Sequence, residues 1–519
     1  PSSELTPEEQ EDEDSEADPD AFVEDYQIRF AEDLVQRAPA AVDRPHLLEA
    51  ARGLVTERSS QEQDRLEGRL KELGVDWSDT VSAGGSPRAV VTVAPPPNHD
   101  VHAGDTMSWT VTVENRGDAP FRQLRAWTNC EKNPLLDRRE FLFGTVPPGE
   151  KRSWTVQVKM PRGLDTRRDE VVFHFEDEAG KAPADLTTTV AVVEVPRPVF
   201  AFSVQVDDRE GGNGDGLPQR GESFALRVDV KNAGPGASGD KTYVSLKNLG
   251  DEKLFITKGR EVVGPMKPGE IRSATMQVEL RRGSVSESLP VRVTVIDEKT
   301  DQFVSEDLNL PIARDLPAPV AAKGSVRVQV AEAQLRTAAS SSAPVLAVAR
   351  QGTVLPLQAR DGDFYRVEWG KGRMAFLAAA DAAQARPRKT PPVVAEVWQR
   401  EPPRITISPD PAKGAPVVDA ETLHFTGTAT IPPSADAGAR LRDLFIFVND
   451  QKVFFKVQAE DAHASRLDFA TDIPLKPGNN AIRVFAREDE EFYSTRSIVI
   501  QRRTPAALAT EANRTTKPE

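Results

Sequence analysis

Two stretches of this sequence repeat one another, and the repeat limits the fold more than any other feature. Residues 104–117 read Gly-Asp, then alternating apolar and polar residues, then Asn-x-Gly. Residues 221–234 read Gly-Glu and continue in the same way, 117 positions later, and a Pro-Gly-Glu turn lies downstream of each copy. Alternation with a period of two predicts half-buried strands, and Pro-Gly predicts turns. The repeat therefore predicts two tandem β-sandwiches, at residues 86–196 and 197–313.

The sequence after the second copy predicts two further units of β structure. Short apolar runs separated by glycine-containing turns at 324–383 predict a small barrel. A Pro- and Arg-rich stretch at 384–400 predicts a linker, and residues 401–503 predict a third sandwich. In that last domain, the Asn449-Asp450 pair between two apolar runs predicts a hairpin turn.

The N-terminal part of the chain has a different pattern. Residues 1–20 are rich in Pro, Glu, Asp and Ser, which predicts an acidic disordered linker. Apolar residues then recur about once per helical turn, so residues 21–80 predict an αα-hairpin whose second helix starts at Pro45 and ends with Gly74 as C-cap. The polar residues 504–519 predict a disordered tail. The fold class predicted from the whole sequence is mainly β and multidomain.

The charge is concentrated near the N-terminus. The 519 residues contain 66 Lys plus Arg and 81 Asp plus Glu, a formal net charge of -15. Residues 1–20 contribute -10 with no basic side chain, and residues 21–80 contribute -5, so the remainder is balanced. An acidic chain without a basic stripe excludes a nucleic-acid-coating protein. No apolar run approaches the roughly 18 residues of a membrane helix, so we expect no membrane span in this segment.

Cysteine content and the chain start bear on the compartment. Cys130 is the only cysteine, which excludes an intrachain disulfide and cysteine-based zinc or iron–sulfur sites. The sequence begins with Pro1 and shows no signal peptide, so we expect a fragment or a processed product whose targeting signal lay upstream. A lone thiol is compatible with the cytosol and with a bacterial envelope protein.

One loop predicts a metal site. Residues 211–222 follow the calcium-loop pattern D-x-[DN]-x-[DN]-G-x5-E, except that Gly211 stands at the first ligand position. Calcium prefers about six to eight oxygen ligands, which clustered carboxylates and amides on a tight turn supply. The candidate ligands are Asn213, Asp215 and Glu222, with Asp207 and Asp208 as replacements for the missing first ligand. The alternative interpretation is that Asn-Gly-Asp-Gly is turn chemistry alone.

The sequence offers little for nucleophilic catalysis. No G-x-S-x-G motif is present, and Ser238 and Lys241 satisfy S-x-x-K only formally, within a glycine-rich loop. A Ser–Lys pair requires a buried, desolvated lysine. Cys130 has no base nearby in the sequence, and the six histidines are scattered. We therefore predict no catalytic residue in this chain.

Several modules resemble known families. The order Gly-Asp/Glu, strand, Asn-x-Gly and Pro-Gly-Glu resembles the CARDB-like branch of bacterial immunoglobulin-like domains, which are mostly spacers and adhesion modules. Residues 324–383, with their Gly352-Thr353-Val354 and Gly372-Arg373-Met374 turns, resemble the bacterial SH3-like barrel, which implies a candidate peptidoglycan-binding surface. Phe364 and Ala375-Phe376 stand where that family usually has Trp and Gly-Trp. Residues 448–486 resemble the immunoglobulin-like domains appended to bacterial secreted enzymes.

The order of modules resembles one larger family. Residues 25–35 and 133–141 are similar to segments of myxobacterial S41-family serine peptidases, which are carboxyl-terminal processing proteases with a PDZ module, and so are residues 400–403 and 448–453. The resemblance spans roughly residues 22–503. In that family a Ser–Lys dyad lies in the upstream catalytic domain, and nothing here matches it. The resemblance therefore implies a non-catalytic C-terminal region.

These observations give a functional expectation and an alternative. We expect the non-catalytic region of a bacterial envelope (periplasmic) or secreted S41-type peptidase, acting in substrate presentation, docking or spacing. Its expected partners are protein substrates or envelope proteins, with peptidoglycan a candidate for residues 324–383 and calcium the candidate cofactor. The alternative is a stand-alone surface adhesin or cell-wall-binding scaffold. An independent hydrolase has the least support.

Overall fold

Strands make up most of the part of the chain that the structure describes. The structure is a computed structural model, and it describes residues 44–78, 84–96, 99–314, 316–388, 391–433, 436–459, 464–490 and 492–503. Over these residues, 32 strands form several separate sheets with separate hydrophobic cores, beside one long α-helix. The prediction of a mainly β, multidomain fold is confirmed.

The long helix α1 (Arg44–Glu72) begins one residue before the predicted start. It ends in a Schellman motif, in which the N–H of Val75 donates to the carbonyl of Leu70 at 2.8 Å and Gly74 takes a φ of 78°. No helix among the described residues has the length and apolar character needed to cross a membrane. The predicted first helix of the hairpin, like the predicted linker 1–20 and tail 504–519, lies outside the described residues.

The residues after α1 attach it to the first sandwich. The carbonyl of Asp76 accepts a hydrogen bond from the N–H of Thr145 at 2.7 Å, and the carbonyl of Trp77 accepts one from the Gln123 side chain at 3.0 Å. A Cβ on Gly144 would lie 2.3 Å from the Asp76 carbonyl oxygen. Glycine at this position therefore permits the close approach of the two backbones.

The first sandwich contains a three-stranded sheet, in the order β1-β3-β6, and a five-stranded sheet, in the order β2-β8-β7-β4-β5. Strand β2 pairs with β8 in parallel, and the other pairs are antiparallel. Its core contains Trp109 in edge contact with Phe173, with 5.1 Å between ring centroids. The strands are β1 (Ala89–Ala94), β2 (Asp100–His102), β3 (Thr106–Asn115), β4 (Phe121–Asn129), β5 (Glu140–Val146), β6 (Lys151–Lys159), β7 (Arg167–Glu176) and β8 (Leu186–Val193).

The second sandwich contains two four-stranded antiparallel sheets, in the orders β12-β14-β10-β9 and β13-β11-β15-β16. The alternating residues of the sequence repeat lie on β3 and β10, whose burial alternates along the strand. The strands are β9 (Phe200–Asp207), β10 (Ser223–Asn232), β11 (Thr242–Asn248), β12 (Leu254–Lys258), β13 (Arg260–Val262), β14 (Ile271–Leu280), β15 (Ser288–Asp297) and β16 (Gln302–Pro311).

The asparagine of each Asn-x-Gly motif is buried and holds together several backbone segments. Asn115 is fully buried, and its amide nitrogen donates to the carbonyls of Ala119 and Val146 at 2.8 and 2.9 Å. Its side-chain oxygen accepts from the N–H groups of Gly117 and Arg88 at 2.9 and 3.3 Å. The side chain thus pairs backbone groups that no strand partner reaches.

Asn232 makes the same four hydrogen bonds in the second sandwich. It donates to the carbonyls of Gly236 and Met266 at 2.7 and 3.1 Å. It accepts from the N–H groups of Gly234 and Val199 at 3.1 and 3.3 Å. The two repeats therefore share one set of hydrogen bonds. It ties the end of the strand before the motif to the turn that follows and to two more distant backbone segments.

The next eight strands form one sheet, in the order β23-β17-β20-β21-β22-β18-β19-β24, around a single core. Strands from both halves of the order contribute to that core, so the sheet curves around it as a small barrel. The sheet starts at Val320 and takes in β24, so it extends beyond residues 324–383. The strands are β17 (Val320–Val328), β18 (Glu332–Arg336), β19 (Val345–Arg350), β20 (Val354–Asp361), β21 (Phe364–Gly370), β22 (Arg373–Ala378), β23 (Ala382–Ala385) and β24 (Val394–Glu396).

The last sandwich contains a three-stranded sheet, in the order β25-β27-β30, and a five-stranded sheet, in the order β26-β32-β31-β28-β29. Asn449 and Asp450 form the predicted hairpin turn with φ angles of 48° and 66°. The strands are β25 (Arg404–Ser408), β26 (Val417–Val418), β27 (Thr422–Thr430), β28 (Asp443–Val448), β29 (Gln451–Val457), β30 (Arg466–Pro474), β31 (Gly478–Arg487) and β32 (Tyr493–Arg502).

We predict that Asn232→Ala destabilises the second sandwich substantially. The substitution leaves buried backbone carbonyl and N–H groups without partners, and each such group costs about 1–3 kcal/mol. Urea unfolding of the full chain should show the loss, and Asn309→Ala is the matched control because the Asn309 side chain is exposed on β16. Equal unfolding midpoints for the two variants would contradict this role of Asn232.

Candidate metal site and domain junctions

The loop that connects β9 to β10, residues 207–222 (the carboxylate loop), contains the candidate calcium ligands. Asp208 is buried, and its carboxylate accepts hydrogen bonds from three successive backbone N–H groups of the loop. The distances from Gly214, Asp215 and Gly216 are 2.7, 3.2 and 3.0 Å. The loop thus wraps around the Asp208 side chain, because a carboxylate inside a tight turn satisfies N–H groups that have no strand partner.

Asp215 and Glu222 lie in the same loop and accept hydrogen bonds in a similar way. Asp215 accepts from the N–H of Leu217 at 2.8 Å and from the Asn213 side chain at 2.9 Å. Glu222 accepts from the backbone N–H groups of Asn213 and Gln219 at 3.2 and 2.9 Å. Burial raises the pKa of both carboxyls, and the neighbouring Asp208 carboxylate raises both further.

Asp207 differs from the other candidate ligands in that it forms an ion pair. Its carboxylate binds the guanidinium of Arg209, with Oδ1 2.6 Å from Nε, and this hydrogen bonding lowers the pKa of Asp207. Asn213 lies between Asp215 and Glu222. Among the described residues, no group of three acidic, histidine or cysteine side chains has an arrangement that could hold a metal ion. Each carboxylate oxygen of Asp208, Asp215 and Glu222 already accepts a hydrogen bond from an N–H group. The calcium site stays a prediction.

The carboxylate loop also contacts the barrel. The guanidinium of Arg366 donates to the carbonyl of Gly214 at 2.7 Å, and the side chain of Gln205 on β9 donates to the carbonyl of Met374 at 3.0 Å. A Cβ on Gly216 would lie 2.6 Å from the carbonyl oxygen of Thr337. Gly214 and Gly216 therefore allow the second sandwich and the barrel to approach closely.

The segment between the barrel and the third sandwich, residues 391–404 (the junction segment), is packed along most of its length. Strand β24 within it pairs with β19, so the segment adds the last strand to the barrel sheet. The indole of Trp398 is buried. The Gln399 side chain accepts from the N–H of Val204 at 2.9 Å and donates to its carbonyl at 3.1 Å, as a neighbouring strand would. Within residues 384–400, predicted as a linker, residues 394–400 thus form a packed structural element.

Arg400 continues this pairing and joins the second and third sandwiches. Its backbone N–H and carbonyl pair with those of Phe202 on β9, at 3.0 and 2.8 Å. Its guanidinium contacts Glu306 of the second sandwich, as well as Glu488 and Asp489 of the third, the last two at 3.6 and 3.3 Å. This places one cation among three carboxylates at a buried junction.

Phe492 anchors the third sandwich in the second. The residue follows the turn after β31, yet it is fully buried and belongs to the hydrophobic core of the second sandwich. The Arg400 guanidinium lies over its ring, 4.9 Å from the centroid. Burying a phenylalanine contributes about 1.5–3 kcal/mol. The aromatic ring and the ion pairs therefore act at the same contact.

A separate contact joins the first and third sandwiches. Thr166 is fully buried, its hydroxyl donates to the carbonyl of Pro411 at 2.8 Å, and its carbonyl accepts from the N–H of Val499 at 3.0 Å. Nearby, the side-chain amide of Asn479 donates to Asp169 at 2.7 Å. These residues lie hundreds of positions apart in the sequence, so the sandwiches pack against one another and do not form an extended row.

The residues considered for nucleophilic catalysis lie in surroundings that fit a structural role. The Ser238 hydroxyl is buried and accepts hydrogen bonds from the Thr242 hydroxyl and the N–H of Met266, at 2.8 and 3.0 Å. Lys241 is exposed, so this pair lacks the desolvated lysine that a Ser–Lys dyad needs. Cys130 is buried, and burial, with the nearby Asp169 carboxylate, raises the pKa of its thiol to about 12. The thiol is therefore protonated at neutral pH.

Sequence reasoning missed the junction residues. Arg400 lies in a stretch rich in Pro and Arg, and Phe492 follows the acidic run 488–491, so both patterns indicate solvent-exposed connections. A single Trp, at position 398 between two charged stretches, was the one available signal of burial there. The partners of these residues cannot be identified from local pattern because they lie in other domains.

Comparisons with known proteins do not assign the chain to a family. No protein-family model and no curated protein sequence matches the chain. A red sea bream transglutaminase structure matches 47% of this chain and 33% of its own, at 14% identity and a TM-score of 0.18. The fibronectin(III)-like modules of Clostridium thermocellum CbhA match 43% of this chain and 94% of their own, at 11% identity and a TM-score of 0.16. The chain thus spans a third of the transglutaminase's length, and its fold class rests on its own sheets and cores.

The calcium prediction is testable by calorimetric titration of the full chain. If the carboxylate loop binds calcium, we expect saturable heat at or below millimolar calcium, the range of extracellular modules, about 10⁻⁴–10⁻³ M. Asp215→Asn should remove the heat because it removes a buried carboxylate, while Asp240→Asn, an exposed acid of the same sandwich, should leave it unchanged. An absence of heat at millimolar calcium would show that the loop is held by its own hydrogen bonds alone.

The acidic junction predicts a pH dependence. Burial raises the pKa of Glu488 to about 8, and the Asp489 and Glu306 carboxylates raise it while Arg400 lowers it. A carboxyl whose pKa is higher in the folded state stabilises that state at low pH, and this contribution is lost as the pH rises through the folded pKa. The melting temperature of the full chain should therefore fall as the pH rises from the ordinary glutamate pKa of 4.5 to about 8, and this loss should end above the folded pKa.

Glu488→Gln separates this effect from general alkaline destabilisation. Glutamine mimics the protonated carboxyl, so the variant should lose less stability over the same pH range when measured by thermal unfolding. Asp301→Asn is the control, because Asp301 is an exposed acid away from the junction. Identical pH profiles for wild type and Glu488→Gln would exclude Glu488 as the titrating group.

Proposed function

We propose that this chain is the non-catalytic, multi-β-domain region of a bacterial envelope or secreted S41-type serine peptidase, whose upstream domain performs proteolysis. Three lines of reasoning support the proposal. The module order resembles that family, three of the domains are immunoglobulin-like β-sandwiches beside a small barrel, and Ser238, Lys241 and Cys130 have surroundings unsuited to nucleophilic catalysis. The chain then acts on proteins by binding them.

The proposed mechanism rests on the packing of the domains at Arg400 and Phe492. Because the junction segment pairs with the edge of the second sandwich and Phe492 enters its core, the domains hold fixed positions on one another. Fixed positions give a binding surface that is organised in advance, which lowers the entropic cost of docking a partner. Of the three roles expected, substrate presentation and docking therefore have more support than spacing.

The alternative is a cell-wall-binding scaffold in which the SH3-like barrel contacts peptidoglycan. One observation weighs against it. Phe376 stands at a position that the barrel family usually fills with Trp, and it is buried, with its ring 3.0 Å from the position of a Cβ on Gly216. The second sandwich therefore covers this part of the barrel, which leaves less aromatic surface for a glycan.

The coding sequence upstream of Pro1 tests the proposal directly. We expect it to encode an S41 peptidase domain with its Ser–Lys dyad and a PDZ module. An upstream region that encodes only a signal peptide would contradict the proposal and favour the stand-alone scaffold. Sedimentation of the full chain with purified peptidoglycan sacculi tests the alternative, with Phe364→Ala as the barrel variant and Phe303→Ala, an exposed phenylalanine of the second sandwich, as the control.

A further inference from the structure

The outward side of the five-stranded sheet in the third sandwich presents a cluster of aromatic rings. Leu444, Ile446 and Val448 of β28 face the core, so the alternate residues of this strand and of its neighbours face away from it. Phe445 stacks on Phe485 with 4.8 Å between centroids. The outward cluster (the aromatic face) consists of Phe445, Phe447, Phe455, Phe485 and Tyr493.

The strand register extends this cluster to the end of the sheet. Phe445 is the direct partner of Phe485 on one side and of Phe455 on the other. Three phenylalanines therefore form a row across β31, β28 and β29. Phe455 is 52% exposed and its neighbour Val457 is 59% exposed. A contiguous exposed apolar surface of this kind is typical of a binding site.

Positive charge surrounds the aromatic face. The ammonium of Lys452 lies over the rings of Phe445, Phe455 and Phe447, at 4.7, 5.2 and 5.9 Å from their centroids. Arg483, on the same side of β31, is exposed. Within the described part of the chain, neither cation has a carboxylate at ion-pair distance.

Among the described strand residues on this side of the sheet, the acidic one, Asp443, is already neutralised. Asp443 is buried, and both of its carboxylate oxygens accept from the Arg487 guanidinium at 2.7 Å. The local balance of Lys452, Arg483, Arg487 and Asp443 is therefore positive, although the whole chain has a net charge of -15. A partner for this surface should carry negative charge.

The sheet also ends in an open edge beside the aromatic face. Strand β29 is the last strand in the sheet order, and it pairs only with β28 among the described strands. Its outer N–H and carbonyl groups are available to a further strand. On the opposite side of the same sheet, β32 lies against β7 of the first sandwich. Packing between the domains thus uses β32, next to the short edge strand β26, and leaves the edge of β29 without a partner strand among the described residues.

We infer that the aromatic face and the edge of β29 bind an extended protein segment that has apolar residues at alternate positions and an acidic residue at the end of the same series. A strand added to β29 would place every second side chain on the aromatic face. The apolar residues next to Phe455 and Val457 and the acidic residue next to Lys452 would therefore belong to the same alternate set. Lysines on an edge strand repel indiscriminate pairing, so an acidic segment is the kind that this edge accepts. A lipid surface would not use the backbone groups of β29.

This inference deepens the proposed docking role and names the class of partner. The test uses the full chain and the labelled peptide Glu-Ser-Val-Ser-Val-Ser-Glu (the Glu-Val peptide), with Lys-Ser-Val-Ser-Val-Ser-Lys (the Lys-Val peptide) as its charge-reversed control. Fluorescence anisotropy should show saturable binding of the Glu-Val peptide that weakens with salt, and none of the Lys-Val peptide.

Two variants and one control locate the binding. Phe455→Ala should weaken binding about tenfold or more, as expected for a central aromatic anchor. Lys452→Gln should weaken it several-fold and reduce its salt dependence, because the charge is lost while the side-chain length is kept. Phe303→Ala should have no effect, since Phe303 is 60% exposed on the second sandwich. Retention of these three variants' melting temperatures shows that they fold.

Several results would overturn the inference. These are equal binding of the Lys-Val peptide, no binding of either peptide, or binding that Phe455→Ala leaves unchanged. Concentration-dependent dimerisation lost in Phe455→Ala would assign the face to a second copy of the chain. Peptide binding only after deletion of residues 1–20 would assign it to the chain's own acidic segment, and binding of phosphatidylserine vesicles alone would assign it to membranes. None of these results depends on which domain lies upstream of Pro1.

Discussion

The edge of β9 is the feature on which the arrangement of the domains depends. A sheet edge exposes N–H and carbonyl groups that must be paired or covered. Here Gln399 pairs with it through its side chain and Arg400 through its backbone. Because the same segment also supplies β24 to the barrel and leads directly into β25, covering this edge fixes three domains at once. Phe492 then adds apolar burial at the same place.

The elements of the fold could be predicted where the pattern is local. Alternation with a period of two identified the strands of the repeat, and Asn-x-Gly marked a site where a buried amide pairs the backbone, as Asn115 and Asn232 do. The Asn449-Asp450 turn and the helix end at Gly74 follow from backbone preferences for positive φ. In each case the physical cause lies within a few residues of the pattern.

Contacts between domains could not be predicted, because their causes lie far away in the sequence. Arg400 gains its partners from β9, β16 and the turn after β31, and its own neighbours indicate only a connection. The candidate metal ligands show a related limit. The pattern identified Asp208, Asp215 and Glu222 as neighbours, but it could not show that their oxygens accept N–H groups of the loop. The aromatic face likewise depends on the register of β28 with β29 and β31, which pairs phenylalanines from three strands.

The central claim is that the β domains are held together through the junction segment, and hydrogen–deuterium exchange of the full chain tests it most directly. The account predicts that peptides covering residues 394–404 exchange as slowly as β9 and β10, because the N–H groups of Phe202 and Arg400 each donate to the carbonyl of the other residue. Peptides around Val499 should also be protected, since its N–H donates to Thr166 of the first sandwich. Exchange of residues 394–404 at the rate of an unstructured peptide, with the sandwich cores still protected, would contradict the account and describe independent domains on a flexible linker.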